Sequence, residues 1–137
     1  MSAQRSSAKG NEAEKITVNV GPVDLGQIDL LVNEGFYSNR TDLIRTAIRN
    51  QLATHADVIE HTVARDSFVL GLQRFSRADL EAVREAGEKL RIQVLGLATI
   101  EADVTPELAA ATIGSVVVLG ALHASPGVKT ALAGRIR

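Results

Sequence analysis

The 137-residue chain contains no cysteine, which excludes disulfides, zinc–thiolate sites and cysteine nucleophiles. Apolar residues make up 45% of the chain but aromatic residues only 3%, so aliphatic side chains must fill any core. The net charge of -1 excludes an affinity for nucleic acid based on bulk positive charge, so such an affinity would depend on where charges are placed.

The chain begins with residues 1–13, which are polar and small, show no periodicity and are expected to form a disordered tail. Residues 15–20 then alternate between polar and apolar side chains, which predicts a strand with one apolar face. A strand this short needs a partner, and the same strand of a second chain is the expected one. The polar positions are Lys15, Thr17 and Asn19, and the apolar positions are Ile16, Val18 and Val20.

Two amphipathic helices are predicted after this strand. Asp24 is the expected N-cap of the first helix, and Gly35 is expected to end it in the left-handed conformation. Ser38 is the expected N-cap of the second helix, with Asp42 in its first turn, where a carboxylate favours the helix dipole. Apolar residues recur at helical spacing, at Leu25, Ile28, Leu31 and Val32 in the first helix and at Leu43, Ile44, Ala47, Ile48 and Leu52 in the second.

The second half of the chain contains an internal repeat. Val-Leu-Gly occurs at residues 69–71, 94–96 and 118–120, at spacings of 25 and 24 residues. Each occurrence lies in a β-rich run and is followed by a helix-like run, whose expected cap residues are Ser76, Thr105 and Ser125. Repeats of this length predict one strand and one helix per unit, stacked as a short solenoid. The last unit is apolar and lacks a polar cap, which makes it a candidate surface for self-association.

Residues 14–53 resemble the ribbon-helix-helix family of DNA-binding regulators. The resemblance rests on the strand KITVNV, the Gly-Pro-Val-Asp turn and the helical segments VDLGQIDLLVNEGFY and SNRTDLIRTAIRNQL, in this order. It implies that two chains pair their strands antiparallel and form an intertwined dimer with one shared core. It also implies that this two-stranded ribbon enters the major groove of DNA, which a β-ribbon fits.

The same resemblance implies a set of DNA-binding residues. Lys15, Thr17 and Asn19 would face the bases, because they are the polar positions of the alternating strand. The start of the second helix would bind a DNA phosphate, for which the free N–H groups and the positive end of the helix dipole are suited. The residues at that helix start are Ser38, Asn39 and Arg40.

No pattern in the chain predicts catalysis or a cofactor. The three histidines, His55, His61 and His123, are too scattered to predict a metal site. A glycine-rich phosphate loop, a nucleophile elbow and a zinc-protease motif are all missing from the sequence. No apolar run reaches the roughly 18–20 residues of a transmembrane helix, so we expect a cytoplasmic protein without membrane contact.

Together these patterns predict an α+β protein with three parts. They are the tail at residues 1–13, a ribbon-helix-helix domain at residues 14–60, and a strand-helix repeat domain at residues 61–137 for oligomerisation or partner binding. The predicted function is that of a non-enzymatic, sequence-specific transcriptional regulator such as a repressor. Its partners would be double-stranded DNA and further copies of itself, first as a homodimer. The alternatives are the antitoxin of a toxin–antitoxin pair and an assembly protein that polymerises through its repeats.

Overall fold

The computed structural model describes residues 13–137, so the predicted disordered tail lies outside the described residues except for Ala13. The described chain divides into two compact units, one at Glu14–His61 and one at Thr62–Arg137. Helices and strands together make it a mixed α+β structure. In chain order the elements are α1 (Pro22–Asn33), α2 (Arg40–Thr54), α3 (Ala56–Asp66), β1 (Val69–Phe75), α4 (Arg77–Glu85), β2 (Leu90–Ile100), α5 (Pro106–Thr112), β3 (Ile113–His123), α6 (Pro126–Ala131) and a 3-10 turn (Ala133–Arg135).

The predicted strand at residues 15–20 does not form within the single chain. Residues 13–21 are neither helix nor strand, and the three strands of the described chain all lie in the second unit. A strand exists only where a neighbour accepts and donates its backbone hydrogen bonds. The predicted strand is therefore wrong for the single chain, because none of its residues has a strand partner among the described residues.

The C-terminal end of α1 confirms the sequence prediction, and its N-terminal end does not. Gly35 has a φ of +87°, its N–H donates to the carbonyl of Val32, and the N–H of Phe36 donates to that of Leu31. These two bonds form a Schellman motif, which confirms the predicted glycine cap. The predicted N-cap Asp24 is wrong, because α1 begins two residues earlier at a proline and its N-cap is Gly21. Proline is well suited to the first helical turn, where its missing N–H has no acceptor to lose.

The second unit is built on a parallel sheet in the order β1-β2-β3. Its register aligns the three Val-Leu-Gly tripeptides side by side, so that Gly71 lies beside Gly96 and Gly96 beside Gly120. Helices α4, α5 and α6 follow the successive strands and pack next to one another. Because each strand-helix pair repeats the one before it, equal positions of the repeat fall into ladders across the sheet.

The core of this unit lies between the sheet and its helix layer. Alternate residues of the central strand, such as Ile92, Val94 and Ile100, are buried against the helices. Leu80 of α4 also lies in this core, as do Leu108 and Ala109 of α5, Val128 of α6 and Leu132 just after α6. On the opposite face of the sheet, the open face, leucines of both edge strands are exposed.

Glycine is required in the ladder by the neighbouring strand. The three glycines have φ values of +126°, +143° and +124°, a region that other residues rarely adopt. A Cβ at Gly96 would overlap the carbonyl oxygen of Gly71, and one at Gly120 would overlap that of Gly96. A Cβ at Gly71 would meet no atom within 4 Å, because β1 is an edge strand. Each carbonyl thus points at the glycine of the strand that follows it.

This asymmetry predicts unequal costs for the same substitution. Gly71→Ala should lower the free energy of unfolding by about 1–2 kcal/mol, the cost of a Cβ at positive φ. Gly96→Ala adds the overlap with a backbone carbonyl and should cost more than about 4 kcal/mol. Urea denaturation of the two variants followed by circular dichroism measures the difference, and equal losses would contradict the contact.

Candidate nucleic-acid interface

The alternating segment at residues 15–20 exposes both of its faces in the single chain. Ile16 is 77% exposed and Val18 is 71% exposed, although both occupy the apolar side of the alternation. The polar side chains of Lys15, Thr17 and Asn19 are exposed as well. The predicted base-reading residues are therefore accessible, and the apolar positions opposite them are not covered by the described residues.

The three helices that follow this segment in the chain also have no fully buried residues. None of α1, α2 and α3 contributes a fully buried residue, although the apolar positions of α1 and α2 follow helical spacing. Burying one such Leu, Ile or Phe side chain stabilises a fold by roughly 1.5–3 kcal/mol. The single chain lacks this stabilisation at each of these exposed side chains. The exposed apolar side chains of this unit are Ile16, Val18, Val20, Val23, Leu30, Leu31, Phe36, Ile44, Ile48, Leu52 and Val58.

The start of α2 is closed by a reciprocal set of hydrogen bonds. Asn39 is the N-cap, and its Oδ1 accepts the N–H of Asp42 at 2.8 Å. The Asp42 carboxylate in turn accepts the N–H of Ser38 at 3.0 Å and its hydroxyl at 3.1 Å. The predicted N-cap Ser38 is thus one residue too early, because α2 begins at Arg40 and the extended backbone at Asn39 gives that residue the capping position. The structure still brings Ser38 and Asn39 together at the helix start.

Arg40 joins α2 to α1 through an ion pair. Its Nε donates to one oxygen of the Asp29 carboxylate at 2.8 Å, and its Nη2 donates to the other at 2.9 Å. The hydrogen bonds from Arg40 lower the pKa of Asp29 below its ordinary value, and the same contact raises the pKa of the arginine. The guanidinium of this predicted phosphate ligand is therefore already engaged within the unit, where it orients the helix start.

Two further arginines lie near the same helix start. Arg45 and Arg49 line a shallow cleft of about 350 Å³ together with Asn39, Thr41 and Asp42. The first N–H groups of a helix have no intrahelical acceptor, and the positive end of its dipole lies there. Sequence reasoning did not assign the two arginines as binding residues. Their spacing of four was the available signal, because it places both on one side of α2.

Other kinds of site find little support in the described residues. Residues 13–137 hold no cluster of three or more His, Cys, Asp or Glu side chains placed to bind a metal ion. Within the same range, no helix has both the length and the apolar character needed to cross a bilayer.

The ion pair between Asp29 and Arg40 predicts a titration that can be measured directly. The pKa of Asp29 should lie below 3.8 in the folded protein and should rise toward that value in Arg40→Gln. Because the folded pKa is lowered, the stabilisation is present above the unfolded pKa and is lost as the pH falls through the folded pKa. Carboxyl chemical shifts of the two proteins between pH 2 and 6 test this, and identical titrations would contradict the ion pair.

Comparison with known proteins places these features in one family. No curated protein and no solved structure matches the chain significantly. The sequence pattern of the ribbon-helix-helix transcriptional regulator family matches residues 11–129, which is most of the chain and includes much of the strand-helix unit. The match therefore extends well beyond residues 14–53, on which the resemblance was first based. The chain belongs to the ribbon-helix-helix transcriptional regulator family.

Proposed function

We propose that this protein is a sequence-specific transcriptional regulator that binds double-stranded DNA as a homodimer. The observation that carries the proposal is the exposed alternating segment at residues 15–20, backed by helices without a core of their own. Family membership supports it, because ribbon-helix-helix regulators bind DNA, generally as dimers. The site of action would be the cytoplasm, and repression of the bound gene is the expected mode.

Pairing of two such segments would supply the missing cover. In an antiparallel ribbon, the side chains of Ile16 and Val18 would lie on the face turned toward the helices of both chains. The apolar faces of α1 and α2 would then be buried in a core shared by two copies. A unit of only about 48 residues has too little interior to be stable alone, which favours an intertwined dimer over a folded monomer.

The opposite face of the ribbon would read the DNA bases. Asn19 can form two hydrogen bonds to adenine, and Lys15 can reach the O6 and N7 acceptors of guanine. Thr17 offers a hydroxyl for hydrogen bonding and a methyl group for contact with the thymine methyl. All three are exposed in the single chain, and pairing of the two segments would place them on one face of the ribbon.

Phosphate contacts would hold the ribbon in register. The N-terminal turn of α2, with Ser38, Asn39 and Arg40, would grip a phosphate through backbone N–H groups. Arg45 and Arg49 would add positive charge beside this turn. Residues 1–50 carry equal numbers of acidic and basic side chains, so binding must rely on such local placement.

The strand-helix unit would join dimers to one another. Its strand-helix pairs repeat across one parallel sheet, which supports a short solenoid, and its exposed leucines would serve self-association. An assembly protein that polymerises through this unit is the second candidate function, favoured by the same exposed leucines. An antitoxin is disfavoured, since a partner-wrapping segment would not bury a core of its own, as residues 62–137 do.

The base-reading role is tested by the double variant Thr17→Ala, Asn19→Ala. Affinity for a site selected from a random DNA pool should fall by about 100-fold or more, because each lost base contact is worth about 1–3 kcal/mol. Affinity for unrelated DNA should change little, and the variant should remain a dimer. Asn50→Ala, a change on the exposed surface of α2, is the matched control. Retention of specific affinity by the double variant would refute the ribbon assignment.

The role of the two arginines is tested by the salt dependence of binding. Replacing Arg45 or Arg49 by Gln should weaken binding to all sequences alike and reduce the slope of log K against log salt by about 1 per arginine. Arg84→Gln makes the same charge change on exposed α4 and should leave the slope unaltered. Equal slopes for all three variants and the unmodified protein would show that the arginines do not touch the DNA backbone.

A further inference from the structure

Leucine side chains on the two edge strands of the sheet are more exposed than the side chains paired with them on the central strand. Leu72 of β1 and Leu97 of β2 are paired positions on the open face, yet Leu72 is 63% exposed and Leu97 only 8%. The difference follows from the number of flanking strands, one for β1 and two for β2. In the neighbouring ladder, Leu70 is 65% exposed and Leu119 is 54% exposed. A strand added at either edge would cover these side chains as the existing strands cover Leu97.

Gly71 has the geometry of an interface that its own chain does not complete. At Gly96 and Gly120, glycine is required because the carbonyl of the preceding strand points at the Cα. Gly71 adopts the same positive φ, yet a Cβ there would meet nothing within 4 Å. The outer edge of β1 is thus shaped to receive a neighbouring carbonyl. The carbonyl of Gly120 is the counterpart, because β3 repeats β1 and β2 in register.

The outer edge of β3 is covered at its beginning by the C-terminal residues and has no Asp, Glu, Lys, Arg or Pro along its length. Natural edge strands are commonly blunted by charged residues or proline, but β3 has neither in its 11 residues. Ile136 pairs in parallel with Val116, and the N–H of Arg137 donates to the carbonyl of Val116. These contacts occupy the beginning of the β3 edge, where one residue pairs in parallel orientation. The stretch from Val118 to Leu122 lies beyond them.

We propose that β1 of one chain adds to the outer edge of β3 of a second copy, parallel and with Gly71 beside Gly120. The second copy is the occupant because its β1 carries the same Val-Leu-Gly sequence and backbone conformation that the sheet already accepts twice. Leu70 of one chain then lies beside Leu119 of the other and extends the leucine ladder. The contact is head to tail, so a pair of units retains one free β1 edge and one free β3 edge, and assembly continues to a closed ring or an open array.

This inference rests on the proposed function for its biological meaning. Each ribbon dimer carries two strand-helix units, so edge pairing would link dimers bound at neighbouring sites on DNA. Linkage raises the effective concentration of the next dimer without any new DNA contact. The proposed reading of DNA and the proposed pairing of edges involve different residues, so each can fail without the other.

The experiment introduces opposite charges at the two partners of the interface in the full chain. Leu119→Lys and Leu70→Glu are both on the exposed sheet surface and should leave each chain folded. Unmodified protein should form species larger than a dimer that grow with concentration in sedimentation velocity. Either variant alone would place an unpaired charge against a leucine. The association constant between dimers should therefore fall by roughly tenfold or more. Mixing the two variants should restore it, because contacts between them pair either the two unchanged leucines or the introduced lysine with the introduced glutamate.

The matched control is Gln93→Glu, which places a charge on the same open face but on the central strand. Edge pairing predicts that this variant assembles like the unmodified protein. Three outcomes would overturn the proposal: unmodified protein that remains dimeric at all concentrations, failure of the mixture to recover, or loss of assembly in Gln93→Glu, which would indicate packing between sheet faces. All variants should bind one isolated DNA site with unchanged affinity, so loss of that binding reports on the proposed function instead.

Discussion

Apolar surface must be covered, and the way this chain meets that constraint differs between its two units. In residues 14–61 the apolar positions of two helices and of the alternating segment are laid out correctly for a core, yet none of them is fully buried. Burial of such side chains is the main favourable term in folding. The stability of a unit that leaves them exposed therefore depends on a partner that buries them. Homodimerisation is our proposed explanation, and under it the fold of this unit and the base-reading ribbon would form together.

In residues 62–137 the same constraint is largely satisfied within the chain. Each strand and its following helix leave an apolar surface that the next pair covers, and Leu80, Val94 and Val116 are fully buried as a result. In such an arrangement the first and last strand-helix pairs each keep one uncovered side. Leu72 and Leu119 mark these two sides. Whether they meet solvent or another copy decides if the unit acts alone or in arrays.

Charge is used sparingly and locally. Asp29 and Arg40 are committed to each other and hold the start of α2 against α1. Asp42 closes the capping bonds at the same helix start, so an acidic side chain lies where an anion is proposed to bind. Arg45 and Arg49 offset it in the same cleft. The near-neutral composition of the chain is consistent with a site where a few oriented groups, rather than a basic surface, meet the DNA backbone.

The sequence by itself determined the kind and order of most elements. Periodicity located α1 and α2, Gly35 marked the end of α1, and the Val-Leu-Gly tripeptides marked three strands, because these signals depend on residues close together in the chain. Helix starts were less certain, since several residues near Asp24 and Ser38 have cap chemistry and only the path of the backbone selects Gly21 and Asn39. The tertiary structure alone decided that the tripeptides lie in register, that the glycines face a neighbouring carbonyl, and that Arg40 is bound to Asp29. Those contacts join residues 11 or more positions apart, and no local pattern specifies which distant groups will meet.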